Sequence, residues 1–469
     1  MHDRLTRPQG AELEIVIVGG GASGTLTAMQ LLRSGASAEV PLHITLLDRD
    51  GRHGLGQAYA TSHPAHLLNA MAAQMSALPD DAEHLMRWAG VSPTTFLPRR
   101  DYGKYLRETL AEAESQATGA RLTRRTAEVV AVRRDGHGAA ARLVLADGGS
   151  LHADVVVLAT GNVAAALPFP APASSRVIVD PWAPGALDAV RDGSPVVIVG
   201  TGLTMLDLAV GVTSARPDTV VHAVSRHGLL PRPHPGTLSR RRQMWLPVIS
   251  RTTGPVRLTE LMWQVRAAIA GSPAGWFEVV DSLRPYVPGL WRRMPEHDRR
   301  LFLRHVARYW EIHRHLVPPA TISRITTLRC TGRLTVHSGR ITQVTEDSTG
   351  LRIRYASEAE TTELEAGWLI NGMGTTTDVT ATASPLLQDL LATGMVRPDP
   401  LRLGIEADST GAVLDAAGRP SDVLYSLGPP LRGVWYETTA IPEIRAQAAA
   451  LARRIAGEGG LSSRPGSAA

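Results

Sequence analysis

The sequence predicts an α/β fold in which one pattern, a buried strand followed by a glycine turn and a helix, occurs twice, with a helical insertion in the second copy. Three observations carry this prediction. The apolar run 14–18 ends in Gly19-Gly20-Gly21-Ala22-Ser23-Gly24, a second run at 195–199 ends in Gly200-Thr201-Gly202, and the stretch 237–315 is arginine-rich with helical patterning. A chain of 469 residues with 43% hydrophobic content is long enough to bury two or three cores.

In the first copy, the glycines lead into a helix at 25–33 with Leu26, Met29 and Leu32 on one face, and a second strand at 43–47 ends at Asp48. Strand, G-x-G-x-x-G, helix, strand and acid is the order of a Rossmann-like dinucleotide-binding unit. Gly19 allows the tight turn, Gly21 the approach of a pyrophosphate, and Gly24 the packing of helix on strand. Ala22 and Ser23 complete the turn before the helix, whose positive end faces the phosphates, and Asp48 accepts from the ribose hydroxyls. Strands at 128–132 and 141–145 follow, then one at 154–158 that ends in Ala159-Thr160-Gly161.

The second copy runs Gly200-x-Gly202-Leu203-Thr204-Met205, without a third glycine, so its helix is expected to stand slightly further from its strand. Its next strand, 220–224, closes on Ser225-Arg226 in place of an acid. A carboxylate there would repel a 2′-phosphate, whereas a guanidinium and a hydroxyl bind one, so the expected ligand is NADPH over NADH. Strands at 334–336 and 351–355 precede 368–374, which ends at Gly374. A further strand at 424–428 ends at Gly428, and a helix at 438–456 opens on Thr438-Thr439 with Pro442 in its first turn. The expected domains are an FAD-binding unit from 1–180 and 365–469, and an NADPH-binding unit from 190–364 with its helical insertion at about 237–320. The Gly- and Ser-rich tail 457–469 is expected to be disordered.

Composition removes several classes. Cys330 is the only cysteine, so neither a disulfide framework nor a Cys-x-x-Cys relay is present, and a flavin reduced by NADPH must pass its electrons to oxygen or a small organic acceptor. The charged start at 1–9 and the early glycines give no signal-peptide core, and no apolar run approaches the roughly 18 residues of a membrane span, so a cytoplasmic protein without membrane contact is expected. The net charge of +5 is almost all arginine and is local: 231–300 holds twelve arginines against five acidic residues. That suits a bound phosphate or carboxylate better than nucleic acid. His297, His305, His313 and His315 lack partners for a metal-ligand pattern, and Ser-x-x-Lys, Gly-x-Ser-x-Gly and P-loop signatures are missing, so no metal is assigned.

The runs Gly54-Leu55-Gly56-Gln57-Ala58-Tyr59-Ala60-Thr61, His66-Leu67-Leu68-Asn69-Ala70, Met75-Ser76-Ala77-Leu78-Pro79-Asp80-Asp81 and 96–106 carry a resemblance, together with Ser384-Pro385-Leu386-Leu387 and 431–445. Nearly the whole chain resembles the bacterial FAD/NAD(P)-binding protein family that includes the L-aspartate N-monooxygenases of the nitrosuccinate pathway. The resemblance implies a three-layer ββα flavoprotein of the class B monooxygenase type. It implies FAD contacts from the loop carrying Leu68, Asn69, Gln74 and Met75, from Arg100, Thr160, Gly161 and Gly428, and from the helix start at Thr438, Thr439 and Ile441. It further implies NADPH reduction of FAD, addition of molecular oxygen at flavin C4a, and transfer of the distal oxygen of that hydroperoxide to the nitrogen of a small amino acid or amine, L-aspartate foremost. Candidates to orient such a substrate are Arg232, His234, Arg241 within Arg240-Arg241-Arg242, and Arg293 beside Arg292. Baeyer-Villiger or S-oxygenation, an NADPH oxidase, and a non-catalytic flavin-binding redox sensor remain open at this stage, as does the oligomeric state.

Overall fold

Four of the six residues of Leu13–Val18 are buried, because this strand lies between two parallel partners, Leu42–Asp48 and Val155–Leu158. The computed structural model describes residues 12–134, 140–238, 254–272 and 275–457. The expectations for the tail beyond 457 and for Arg241 lie outside these residues.

The first sheet runs Ala412–Leu414, Pro420–Ser426, Val155–Leu158, Leu13–Val18, Leu42–Asp48, Ala120–Thr126, parallel except at the outermost Ala412–Leu414. The continuous apolar run at 13–18 is what a strand covered on both faces requires. Ile15 and Ile17 point into a core with Met29, Tyr102 and Leu451 from the helices Ala22–Ser34, Arg99–Ser115 and Ile441–Ala456. Val16 and Val18 point the other way, against Val132 and Leu143 of a three-stranded antiparallel sheet, Val129–Arg134, Ala141–Leu145 and Ser150–Ala153. Helices, parallel sheet and antiparallel sheet make the three layers that the resemblance implies.

The second sheet, Leu334–Ser338, Val221–Ser225, Val196–Val199, Trp368–Asn371, Val177–Ile178, is parallel throughout. Its helical face carries Leu203–Ala215 and Pro319–Cys330, and its other face the antiparallel strands Arg340–Glu346, Leu351–Ala356 and Thr361–Ala366. Met205 stands where the first unit has Gly24 and is fully buried.

Sheet membership corrects the expected domain boundaries. Trp368–Asn371 pairs with Val196–Val199, and Val177–Ile178 pairs with Trp368–Asn371, so both belong to the second unit although boundaries at 180 and 365 assign them to the first. The cause is the repeat itself. Val155–Leu158 supplies the second neighbour of the first glycine-turn strand, and Trp368–Asn371 does the same for Val196–Val199. The two crossings between units pair as a short antiparallel ribbon, Val163–Ala164 with Thr375–Thr376.

The described part of the insertion is helical, as expected: Leu258–Gly271, Trp276–Leu283, Val287–Arg293, Glu296–Leu301, a π-type turn at Phe302–Val306, and Ala307–Arg314. It is tied to the C-terminal part of the first unit. Trp291 Nε1 donates to Gly433 O (2.8 Å), Trp310 Nε1 to Glu437 Oε1 (2.9 Å), and Arg284 makes two bonds to Glu443 (2.6 and 2.7 Å). Among the described residues, no helix is long and apolar enough to cross a membrane.

Candidate functional site

The first glycine turn is built by close approach. Gly19 has φ +116°, and a Cβ there would overlap the carbonyl oxygen of Ala159, at the end of the neighbouring strand; a Cβ on Gly24 would overlap the carbonyl oxygen of Gly19. Gly21 precedes the helix at Ala22, so the positive helix end opens on this turn. Asp48 Oδ1 accepts from the backbone N–H of Asp50 (3.0 Å) and Arg52 (2.9 Å). Its Oδ2 is left toward the turn, 3.0 Å from where a Cβ on Gly20 would stand.

The C-terminal strand delivers Gly428, φ +73°, against Ser23, whose Oγ lies 2.8 Å from the position of a Gly428 Cβ. Gln447, which the sequence reading missed, holds this corner. Its Oε1 accepts from Gly428 N (2.8 Å), and its Nε2 donates to Thr438 Oγ1 (2.7 Å), which donates to Gly428 O (3.1 Å). The fully buried Thr438 hydroxyl is therefore a brace for the loop. Thr160 and Gly161 follow Val155–Leu158 beside Gly19.

The second glycine turn opens on a cavity of about 950 Å³ lined by Gly200, Gly202, Leu203, Thr204, Ser225 and Arg226, among others. Gly200 has φ +107°, and its Cβ would stand 2.8 Å from Gly372 O. A Cβ on Gly202 would meet nothing within 4 Å, so that position faces open space. Gly374 sits beside Thr204, and its neighbours Met373 and Thr375 are on the cavity wall. The Ser225 hydroxyl departs from the role expected of it. Thr201 Oγ1 gives its proton to Leu229 O (2.6 Å), so Ser225 donates to Thr201 Oγ1 (2.9 Å) while accepting from Gly228 N (3.1 Å). With its proton committed inside the turn, it has none to offer an anion. The exposed Arg226 is joined on the same wall by Arg340, a second guanidinium that the sequence reading did not single out.

A smaller cavity of about 180 Å³ lies alongside, and Asn69, Arg99, His315 and Thr439 line both. This junction gathers the loop residues Leu68, Asn69, Gln74 and Met75 with Thr439 and Ile441 at the start of the last helix, although they are more than 360 positions apart in the chain. Arg100 is not among the lining residues. It starts the same helix as Arg99, but a step of one residue turns about 100° around a helix, and Arg100 points outward to Ser62 O (3.4 Å) and Asp101. Arg99 takes the inner position, pairing across the unit boundary with Asp207 Oδ2 at 3.1 Å. Of the substrate-orienting candidates, His234 lines the smaller cavity. Arg232 is exposed and the half-buried Arg293 donates to Gly254 O (3.2 Å); neither lines either cavity.

The walls of the junction are strongly polar. Burial pulls the Glu311 carboxyl upward, but His315, 2.9 Å from its Oε2, and Arg432 on its Oε1 outweigh that and hold it at about 2. Burial lowers His234, against the opposing pull of Asp281; the ring accepts from Gly236 N at Nδ1 (3.1 Å) and packs edge-on to Phe96 and Phe277. His66 joins the two units: its Nε2 donates to Asp207 O (3.0 Å), Nδ1 accepts from Thr61 Oγ1 (2.7 Å), and burial with His63 and Arg99 nearby lowers it to about 4. The Arg99, Arg284, Arg314 and Asp281 positions were not read from the sequence. Arg99 stands inside the 96–106 run that carries the resemblance; the others give no local signal.

Two facing dinucleotide-binding units of this construction define the FAD/NAD(P)-binding fold. Residues 16–163 match the family described as FAD-NAD(P)-binding. The uncharacterized protein YdhS of Escherichia coli (strain K12) is 28% identical over 218 residues, a match that spans 42% of this chain and only 39% of that protein. Among solved structures, the ornithine N-hydroxylase of Kutzneria sp. 744, in a complex with reduced FAD, NADP+ and L-ornithine, matches with a TM-score of 0.61 at 16% identity, over 95% of this chain and 99% of that one. The L-lysine 6-monooxygenase of Pseudomonas syringae matches at 0.60 and 14% over the same shares, and a thioredoxin reductase of T. acidophilum at 0.51 and 14%, over 95% and 98%. At these identities the likeness is one of fold.

Proposed function

We propose that this chain is an FAD- and NADPH-dependent monooxygenase that N-hydroxylates a small amino acid or amine, with L-aspartate the substrate that the resemblance brings forward. The observation that carries the reading is the junction: the two clefts share Asn69, Arg99, His315 and Thr439, so ring systems bound in each would meet there. Bound FAD and NADPH supply the redox and oxygen chemistry. The residues present fit both groups. Gly19 and Gly24 shape a cradle in which side chains would clash with backbone, Gly21 has room for close approach, Asp48 keeps one carboxylate oxygen toward the turn, and Gly202 faces open space on the other cleft. Arg226 and Arg340 supply the positive charge for a 2′-phosphate.

The chain's own work is then to bind, orient and exclude water. The last helix, Ile441–Ala456, directs its positive end at the junction, where negative charge on a reduced ring is stabilised. The insertion gives the smaller cavity an apolar wall of Phe277, Val280 and Leu316, which would limit water at the reacting atoms. The lone cysteine, Cys330, is exposed on the Pro319–Cys330 helix and has no second thiol to relay electrons, which separates this chain's chemistry from that of disulfide reductases sharing the fold.

Product analysis tests the reading. The purified, FAD-loaded protein is incubated with NADPH, oxygen and a panel of amino acids and amines, and hydroxylamines are trapped. A hydroxylated nitrogen supports it. Peroxide with every compound means an oxidase, an ester or sulfoxide means another oxygenation, and bound FAD without NADPH consumption means a non-catalytic flavoprotein.

A further inference from the structure

Asp207 is the only charged residue of the Leu203–Ala215 helix, and it is buried there between the fully buried Leu206 and Leu208. Burial pushes its carboxyl up, against the pull of Arg99. A buried charge is costly unless well partnered, and both partners of this residue come from across the unit boundary. Arg99 Nη2 stands 3.1 Å from Asp207 Oδ2, and His66 Nε2 donates to Asp207 O (3.0 Å). The two contacts share one support. Arg99 N donates to His66 O and Leu68 N to Leu97 O, each at 2.8 Å, and Leu67 pairs with Pro98 between them. From that support the chain runs straight into Asn69, Gln74 and Met75 on the wall of the smaller cavity. Its fit against the helix is close. A Cβ on Gly211, one turn after Asp207, would stand 3.3 Å from His66 Nε2; Ala65 packs on the core of the second unit, and His66 meets Trp182, packed on that same core, edge-on at 5.7 Å.

We propose that Asp207 is a positioning residue for hydride transfer: gripped by Arg99 and His66, it fixes the helix that carries the second glycine turn against the loop that lines the first cleft, and so sets the distance from nicotinamide to flavin. The assignment rests on the FAD and NADPH reading above, though not on the identity of the oxygenated substrate. Asp207 lines neither cavity, so it acts through the helix and not by touching a cofactor. It lies four residues, about 6 Å along the axis, from Leu203, where the pyrophosphate approaches. The step it serves moves a hydride, two electrons with one proton, from NADPH to the flavin and leaves NADP+. That step tolerates little displacement, since misplacing reacting atoms by about 1 Å costs about 100-fold in rate. Binding tolerates more, because Gly200, Gly202, Arg226 and Arg340 all belong to the second unit and stay with it.

The test is anaerobic stopped-flow reduction of the FAD-loaded parent, Asp207→Asn and Asp207→Glu by NADPH. The limiting rate and the NADPH dissociation constant are both taken from the concentration dependence, with FAD content and melting curves recorded alongside. Asp207→Asn is expected to lower the limiting rate about tenfold or more while the dissociation constant stays within about threefold of the parent's, and Asp207→Glu, which keeps the charge, to recover part of the rate. If Asp207→Asn does not fold, Gly211→Ala takes its place: it removes no charge, its Cβ crowds His66 Nε2, and it must slow the limiting rate about threefold or more. The role is overturned if the folded, FAD-loaded variant is reduced at the parent rate, or if its rate falls only in step with NADPH affinity or FAD content. A parent whose flavin stays oxidised with NADPH bound rejects the hydride reading and the positioning role with it; a parent that is reduced, beside variants that match it, rejects the positioning role alone.

Discussion

Gly202→Ala separates fold from ligand at one atom. The backbone at Gly202 has φ −80° and ψ −168°, which alanine adopts freely, and an added Cβ meets no protein atom within 4 Å. The protein should therefore lose only the small difference between glycine and alanine at a helix N-cap, about 0.5–1 kcal/mol, or a few degrees in the melting of that unit. The methyl group does, however, project where a pyrophosphate must approach the start of the Leu203–Ala215 helix. Losing one charge-assisted backbone contact costs about 1.5–3 kcal/mol, which weakens NADPH binding by about tenfold or more. The assay is NADPH affinity of the FAD-loaded variant, alongside its FAD content and melting curve. Intact FAD and folding with a raised NADPH dissociation constant are expected; an unchanged constant would refute the placement of the pyrophosphate at this turn. Gly24→Ala is the contrasting case, since its Cβ overlaps Gly19 O and the helix must move off the strand, so protein without bound FAD is expected.

Arg226→Ala and Arg340→Ala should each raise the KM for NADPH several-fold more than that for NADH, measured by NAD(P)H oxidation; equal effects would remove the 2′-phosphate assignment. Glu443→Ala removes both hydrogen-bonded contacts of Arg284, whose side chain is 8% exposed, and leaves only the weaker pull of Glu437 and Asp281, so a loss of up to about 3 kcal/mol in stability is expected by denaturant titration. His66 is lowered from 6.5 to about 4 in the folded chain, so the unfolded chain binds the proton first as pH falls. Its contribution is fully present above pH 6.5 and is lost between pH 6.5 and 4, by about 3 kcal/mol at most. Melting temperatures across that window should fall less steeply in His66→Gln than in the parent.

Both glycine turns and the helical character of the insertion are legible because they are local, whereas the three-layer stacking enters through the resemblance. Buried parallel strands appear as unbroken apolar runs, and Gly19 and Gly200 mark backbone conformations that other residues rarely adopt. The boundary at 365 went wrong for a physical reason. Trp368–Asn371 is buried in all four residues and would suit either sheet, and only its pairing with Val196–Val199 assigns it. The site was half legible. Leu68, Asn69, Met75 and Ile441, which the resemblance brings forward, line the smaller cavity; Arg100, which it also brings forward, does not, and Arg99 does, a choice that composition cannot make between two adjacent arginines on a helix. Arg284, Arg314 and Asp281 belong to an insertion whose side chains meet the 68–75 loop only in three dimensions, and no local pattern shows that Thr201, 24 positions away, takes the proton of Ser225.

The central claim is that a nicotinamide in the second cleft can pass hydride to a flavin in the first across the junction of Asn69, Arg99, His315 and Thr439. Anaerobic mixing of FAD-loaded protein with one equivalent of NADPH, followed at the visible flavin absorbance, tests it directly. The account predicts bleaching of the flavin band, slower with NADH; a band that stays intact while NADPH is shown to be bound would contradict it.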